Sequence, residues 1–176
     1  YGRKRYRQAL KEYRQRQAAF AEEVERLRQT DQAERRSECP DPAEVLLTAI
    51  GPRRRLWERR IHDADTLHLR LGLADLPSRI EFTAERGTYS SDPKELPPVP
   101  VSHAVPVTVP LAQVGVLGIT GLRQVSRALA RWLVAQAAAL HSPRDLEIVV
   151  LSADGEAAQS WNWVRWLPHC APHEGE

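Results

Sequence analysis

Val114-Gly-Val-Leu-Gly118-Ile-Thr-Gly121-Leu-Arg-Gln-Val125 and His141-Ser-Pro-Arg-Asp-Leu146-Glu-Ile-Val-Val-Leu151 decide the fold class of this 176-residue chain. The first opens with a short apolar run, 114–119, and breaks into a Thr-Gly turn. The second carries another apolar run, 146–151, after a Ser-Pro turn. Between them, 125–140 is alanine-rich, with Val125, Leu129, Trp132, Leu133 and Leu140 available to one side of a helix. Strand, turn, helix and strand make a βαβ unit, which requires a parallel sheet and a right-handed crossover. The expected class is α/β, with helices flanking a parallel sheet.

In such a unit the strand-to-helix turn presents backbone N–H groups and a helix N-terminus to phosphate, so chemistry is sought there first. Against the phosphate-loop pattern G-x-x-x-x-G-K-[ST], Gly118 meets the first glycine, and Thr120 and Gly121 lie within the loop. Arg123 then falls on the second glycine, Gln124 on the lysine and Val125 on the metal-binding hydroxyl. Arg123 brings a Cβ where backbone must approach phosphate, Gln124 supplies no cationic head, and Val125 offers no oxygen to Mg²⁺. Gly118, Thr120, Gly121, Arg123, Gln124 and Val125 thus form a degenerate nucleotide site that is not expected to hydrolyse or tightly bind nucleotide. No catalytic residue is assigned.

Upstream, Tyr6, Leu10, Tyr13, Gln17, Phe20, Val24 and Leu27 recur at steps of four and three. This 3.5-residue repeat marks a helix with a narrow apolar seam. Seven basic residues stand against one acidic between Arg3 and Arg16, and glutamate dominates 22–25. The seam is short for a free coiled coil, so two readings stand: docking on a partner as a stalk, or packing back on its own domain. Cys39-Pro40 ends the helix. Asp41 is expected to cap a second one, with Pro42 at its first position and Gly51-Pro52 at its end.

The run 53–60, Arg-Arg-Arg-Leu-Trp-Glu-Arg-Arg, is read as a solvated basic surface anchored by Trp57 in preference to a phosphate-binding patch. Leu67, Leu69 and Leu71 alternate with polar residues as a half-buried strand that Gly72 terminates. Six prolines between 93 and 110 suggest an extended connection in which 105–109 is the best strand candidate. The segment 161–169, with Trp161, Trp163 and Trp166, reads as helical and stopped by Pro168. At least two of its tryptophans are expected in the core.

Composition excludes less. The chain is 42% hydrophobic and 27% charged, which fits a globular domain, and its net charge of +2 announces no nucleic-acid binder. Without methionine it cannot begin its own translation and is read as part of a longer polypeptide. Cys39 and Cys170 are expected to stay reduced. No run reaches the length of a membrane span, but Tyr1-Gly-Arg-Lys-Arg-Tyr-Arg7 suits either the cytoplasmic flank of one or a solvated helix start. His169, Cys170 and His173 lack zinc spacing, and Asp63 and Asp65 suit a turn better than a catalytic pair.

The 118–125 turn, followed after a helix by His141-Ser-Pro-Arg-Asp-Leu-Glu-Ile-Val-Val-Leu151, resembles the FtsK/SpoIIIE ATPases, in which G-T-T-G-S-G-K-S precedes a helix and H-S-P-E-(D/E)-(L/V) leads into a strand. Within that family, Arg55-Leu-Trp-Glu-Arg-Arg60, Leu69-Arg-Leu-Gly72 and Trp161-Asn-Trp-Val-Arg-Trp-Leu-Pro-His169 resemble the EccC branch, the membrane-anchored ATPases of type VII (ESX) secretion systems. The likeness covers most of 53–169 and is poor over 78–100. It implies a helical stalk following a membrane helix over 1–38, whose seam residues are Tyr6, Leu10, Tyr13, Phe20, Val24 and Leu27. It implies a partial P-loop, FtsK-like and ATPase-like domain of degenerate kind over 39–176.

The resemblance also implies a place on the cytoplasmic face of a bacterial, actinobacterial membrane and a parent of hexameric assembly. ATP and Mg would be used by modules further along that parent and not by this domain. EccD, EccB and EccE types of subunit are the implied partners, and nucleic acid is not expected. Where active modules carry D-F-K-G-G, this chain has Ser152-Ala-Asp-Gly155, which agrees with the lost lysine. An FtsK-type DNA translocase, with 53–60 on phosphates, is the alternative.

Overall fold

A computed structural model describes residues 2–51, 55–83, 96–152 and 155–170. The elements follow in the order α1 (Gly2–Glu38), α2 (Pro42–Ile50), β1 (His68–Pro77), β2 (Val101–Pro110), α3 (Leu111–Val114), α4 (Arg123–Leu140) and α5 (Gly155–Trp161). Two 3₁₀ turns, Asn162–Trp166 and Pro168–Cys170, come last. The chain is mixed α and β. Its sheet is two-stranded: β1 and β2 pair antiparallel, from Leu111 N–H on Leu67 O at one end to Ser78 N–H on Pro100 O at the other.

Two compact units emerge, one of residues 1–38 with 73–106 and the other of 39–72 with 107–176. In the first, the C-terminal half of α1 packs on the far half of the strand pair. Asp31, at a seam position, is buried and accepts from the Ser102 hydroxyl at 2.7 Å while pairing with Arg35 at 2.9 Å. Arg35 donates to Pro77 O, Arg36 to Ala104 O, and Arg79 pairs with Glu38 at 3.0 Å. Ala104 holds a left-handed φ of +50°, which is costly for a residue with a Cβ, and Asp75 fixes it by accepting from its N–H.

In the second unit Leu69, Leu133 and Ala137 form the centre of the core, surrounded by Leu67, Leu71, Val109 and Leu146 among others. The α2 helix starts as its sequence predicts: Asp41 accepts from Glu44 N–H, Glu44 reaches back to Asp41 N–H, and Pro42 stands at the first turn. It ends at Gly51 and packs against α4, burying Val45 and Thr48.

Several expectations are corrected. The predicted parallel strands 114–119 and 146–151 join no ladder among the described residues. The Leu111–Val114 turn of helix and Gly115 at φ +74° bend the first run. Of the second, Ile148 N–H is held by His169 O. The strand expected to end at Gly72 continues to Pro77, because β2 supplies it with a partner over ten residues rather than the short edge pieces expected from its prolines. The 161–169 segment is helical over 162–166 as a 3₁₀ turn and stops where expected, with Leu167 extended before Pro168; a separate turn, Pro168–Cys170, then begins at that proline, whose first position needs no N–H. None of its three tryptophans is fully buried. Trp161 and Trp163 stack half-exposed at 6.1 Å, and Trp166 is exposed under Arg165.

Candidate functional site

The six residues of the degenerate phosphate turn lie together, and all six are exposed. Gly121 sits at φ +137°, a conformation that glycine adopts without strain, and a Cβ there would stand 3.5 Å from Ser126 Oγ. The helix after it begins at Arg123 with Leu122 as its cap residue, and no side chain caps it. Its first turn therefore offers uncapped N–H groups and the positive end of a dipole, but neither a lysine nor a hydroxyl at the loop positions.

The opposite end of α4 is closed. A helix leaves its last four carbonyls without partners, and the last turn of α4 has neither a basic residue nor a glycine after it. Here each carbonyl finds a donor. Ala137 O accepts from His141 N–H and from the His141 ring, Ala138 O from the Trp57 indole, Ala139 O from Trp57 N–H, and Leu140 O from Arg59 N–H at 2.9 Å. The Leu56-Trp57-Glu58-Arg59 stretch is thus the cap of a helix that begins 66 positions later in sequence than Trp57. Trp57 takes φ +56° to make these bonds.

His141, 2% exposed, is the hub. Its Nε2 accepts from Leu67 N–H at 3.0 Å, which fixes the proton on Nδ1, where it is donated to Ala137 O. Its own carbonyl accepts from His169 Nε2 at 2.8 Å. Burial holds the His141 imidazole below its ordinary titration range, with the Arg59 charge adding to the effect and the Ala137 bond and Asp65 opposing it. Leu67, at φ +52°, is locked by that bond at the entry to β1. The outer edge of β1 is covered by α4: Gln136 accepts from Arg70 N–H and donates to Arg70 O, and the Trp132 indole donates to the same oxygen at 2.7 Å.

Within the basic run 53–60, the described residues 55–60 form no free cationic patch. Residues 52–54 lie outside the described residues. Arg55 pairs with Glu58, Arg59 is buried on Asp65 at 2.9 Å and donates to His68 O, and Arg60 faces Asp145 at 3.8 Å. Asp63 accepts from Arg60 N–H, as a turn aspartate does. Cys39 and Cys170 are unbridged. His169 and Cys170 serve backbone carbonyls, His173 lies outside the described residues, and no group of three His, Cys, Asp or Glu among the described residues is placed to hold a metal. The seam residues Tyr6, Tyr13, Phe20 and Leu27 are exposed, and Leu10 and Val24 are half-buried. No described helix is long and apolar enough to cross a membrane.

Two apolar grooves mark the second unit. One, of about 510 Å³, is walled by Leu46, Trp57, Trp132 and Trp163. The other, of about 500 Å³, is walled by Leu69, Leu133, Val116, Leu117 and Val149, and so runs along the two apolar segments that stay outside the sheet.

No protein-family model matches the chain. Among curated proteins it is 34% identical over 144 residues to the ESX-3 secretion system protein EccC3 of Mycobacterium tuberculosis, covering 74% of this chain and 10% of that protein. It is 33% identical over 139 residues to the ESX-4 secretion system protein EccC4 of the same organism, and 30% identical over 127 residues to the ESX secretion system protein EccC of Geobacillus thermodenitrificans. The class they define is that of ESX, or type VII, secretion system proteins. The chain belongs to the EccC family among them, and it spans about a tenth of the length of the curated relatives it matches.

Proposed function

We propose that this chain is a non-catalytic assembly and coupling domain of a type VII secretion translocase, linking membrane helices to ATPase modules that drive protein export. The observation that carries the reading is the turn at 118–125: its position before an amphipathic helix is that of a phosphate loop, while Arg123, Gln124 and Val125 remove the groups that phosphate and Mg²⁺ need. The relatives supply the secretion system. The apolar runs 114–119 and 146–151, on either side of α4 in sequence and sharing one groove, fit edges of a parallel sheet of the FtsK-like kind once further strands pair with them.

Residues 1–38 then act as the stalk and 39–176 as the degenerate ATPase-like domain, at the cytoplasmic face of the membrane. EccD, EccB and EccE types of subunit are the partners in this reading, and ATP and Mg serve other parts of the parent. The ion pairs of Arg55, Arg59 and Arg60 count against a DNA-translocase role. Calorimetric titration of ATP with Mg²⁺ into the chain tests the reading: no binding below millimolar concentration is expected, and micromolar, Mg²⁺-dependent binding would overturn it.

A further inference from the structure

The first half of α1 carries a feature that a solvated helix does not need. Tyr6, Tyr13 and Phe20 repeat at heptad spacing, and their side chains are 69%, 54% and 52% exposed. Among the described residues, Phe20 alone of these three meets another ring, that of Phe82 at 6.0 Å. Single exposed apolar residues are ordinary, but a regular row along one helix stripe is the seam of a helix pair.

Charge along the same stripe is one-sided. Arg3, Lys4, Arg5, Arg7, Lys11, Arg14 and Arg16 face a single acidic residue, Glu12, within the first sixteen positions. Arg7 and Arg14 directly follow seam tyrosines, and Arg16 directly precedes the seam Gln17, which places all three where a paired helix lays its flanking residues. Glu12 accepts from Gln8, and none of the seven cations forms an ion pair among the described residues. Further along, Glu23 pairs with Arg26 and Glu25 with Arg28, so there the charges are already neutralised within the helix.

We infer that the 3–20 stretch of α1 is a docking site for an amphipathic helix of another protein whose apolar heptad stripe is flanked by glutamate or aspartate. Three observations select this occupant. The row follows a strict four-three spacing and leaves the other faces polar, whereas a helix lying on a lipid surface presents a broad apolar face. A second copy of this chain would bring seven more cations to the contact, and like charges along a seam oppose pairing. Gln17 interrupts the seam once, as a polar residue does where register must be set. The inference rests on α1 alone and stands whether or not the chain works as a coupling domain.

The test uses the whole 176-residue chain and two fluorescent synthetic peptides of about four heptads, both with isoleucine and leucine seams, one flanked by glutamate and the other by lysine. Anisotropy is expected to show the glutamate-flanked peptide binding about tenfold or more tightly than the lysine-flanked one, with affinity falling as salt rises. The triple variant Arg7→Glu, Arg14→Glu, Arg16→Glu is expected to reverse that preference. Tyr6→Ser with Tyr13→Ser is expected to abolish binding to both peptides while tryptophan fluorescence, which arises wholly from the second unit, stays unchanged. Equal affinity for the two peptides overturns the inference. So does tighter binding to vesicles of phosphatidylglycerol and phosphatidylcholine than to the glutamate-flanked peptide, or a dimer in sedimentation that the double tyrosine variant dissolves.

Discussion

The α4 helix begins and ends in opposite ways. At its N-terminus an exposed turn leads in through Leu122 with no side-chain cap. At its C-terminus every one of the last four carbonyls is met by a donor, and His141 ties that end to both β1 and the last 3₁₀ turn. The two ends differ in what a substitution costs: a change in the exposed turn removes no side-chain cap, whereas each donor lost at the far end leaves a buried carbonyl without a partner.

The contrast breaks most severely at His141. His141→Ala removes two side-chain hydrogen bonds inside the core and unlocks Leu67, and a loss of about 3 kcal/mol is expected in urea unfolding followed by tryptophan emission. All five tryptophans lie in the second unit, so this signal reports that unit alone. Arg59→Met comes next. It keeps the stem and the backbone bond to Leu140 but loses the bonds to His68 O and Asp65, for about 2 kcal/mol by the same measurement.

Acid sharpens the comparison without mutation. His141 titrates in the folded chain below the 6.5 of an ordinary imidazole, so below that pH the unfolded chain takes up more protons. The stability due to His141 is whole above pH 6.5 and is lost as pH falls through the folded value, by at most about 1.4 kcal/mol per pH unit. His141→Ala should flatten this slope, and an unchanged slope would assign it elsewhere. In the first unit Asp31 is opposed by its own burial, yet the Ser102 hydroxyl and Arg35 hold its carboxyl below the ordinary range, so its contribution persists above pH 3.8 and is lost on further acidification. Far-ultraviolet ellipticity from the long α1 should therefore change in a more acidic window than the tryptophan signal.

The smallest effect is expected at the other end of α4. Arg123→Gly, Gln124→Lys and Val125→Ser together alter exposed positions, so stability should shift by no more than about 1 kcal/mol, most of it from glycine in the first helical turn. Calorimetry then asks whether the turn has the shape of a phosphate loop: the triple variant should bind ATP with Mg²⁺ more tightly than the unaltered chain. A variant that binds nothing would show that the loop geometry was lost along with its charges.

Much of this was legible in sequence because it depends on neighbours. The Asp41-Pro42 start of α2, the stop at Cys39-Pro40 and the body of α4 follow from local rules and are present. Two features were not legible, for different reasons. A parallel strand needs partners on its flanks, so the apolar runs at 114–119 and 146–151 carry strand character that the described residues cannot express as a sheet. The capping role of Trp57 and Arg59 was hidden because the pair and the helix end it closes are some 80 residues apart. One signal did point to it: an alanine-rich helix that ends in Leu140-His141-Ser-Pro, with no glycine and no nearby cation, must find donors for its carbonyls elsewhere. The seam of α1 raised two readings, stalk or self-packing; the C-terminal half packs on the strand pair, and the N-terminal half leaves Tyr6, Tyr13 and Phe20 exposed.

That division gives α1 the mechanics of a lever. Its last four turns are clamped through Asp31, Arg35, Arg36 and Glu38, and Phe20 meets Phe82, while the roughly 18 residues before Phe20 extend about 27 Å at the rise of an α-helix. A tilt of about 10° there would sweep the basic tip through roughly 5 Å over that length. A displacement there is magnified at Arg3 in proportion to that length, and a load at Arg3 is shared among the contacts of Phe20, Asp31, Arg35, Arg36 and Glu38.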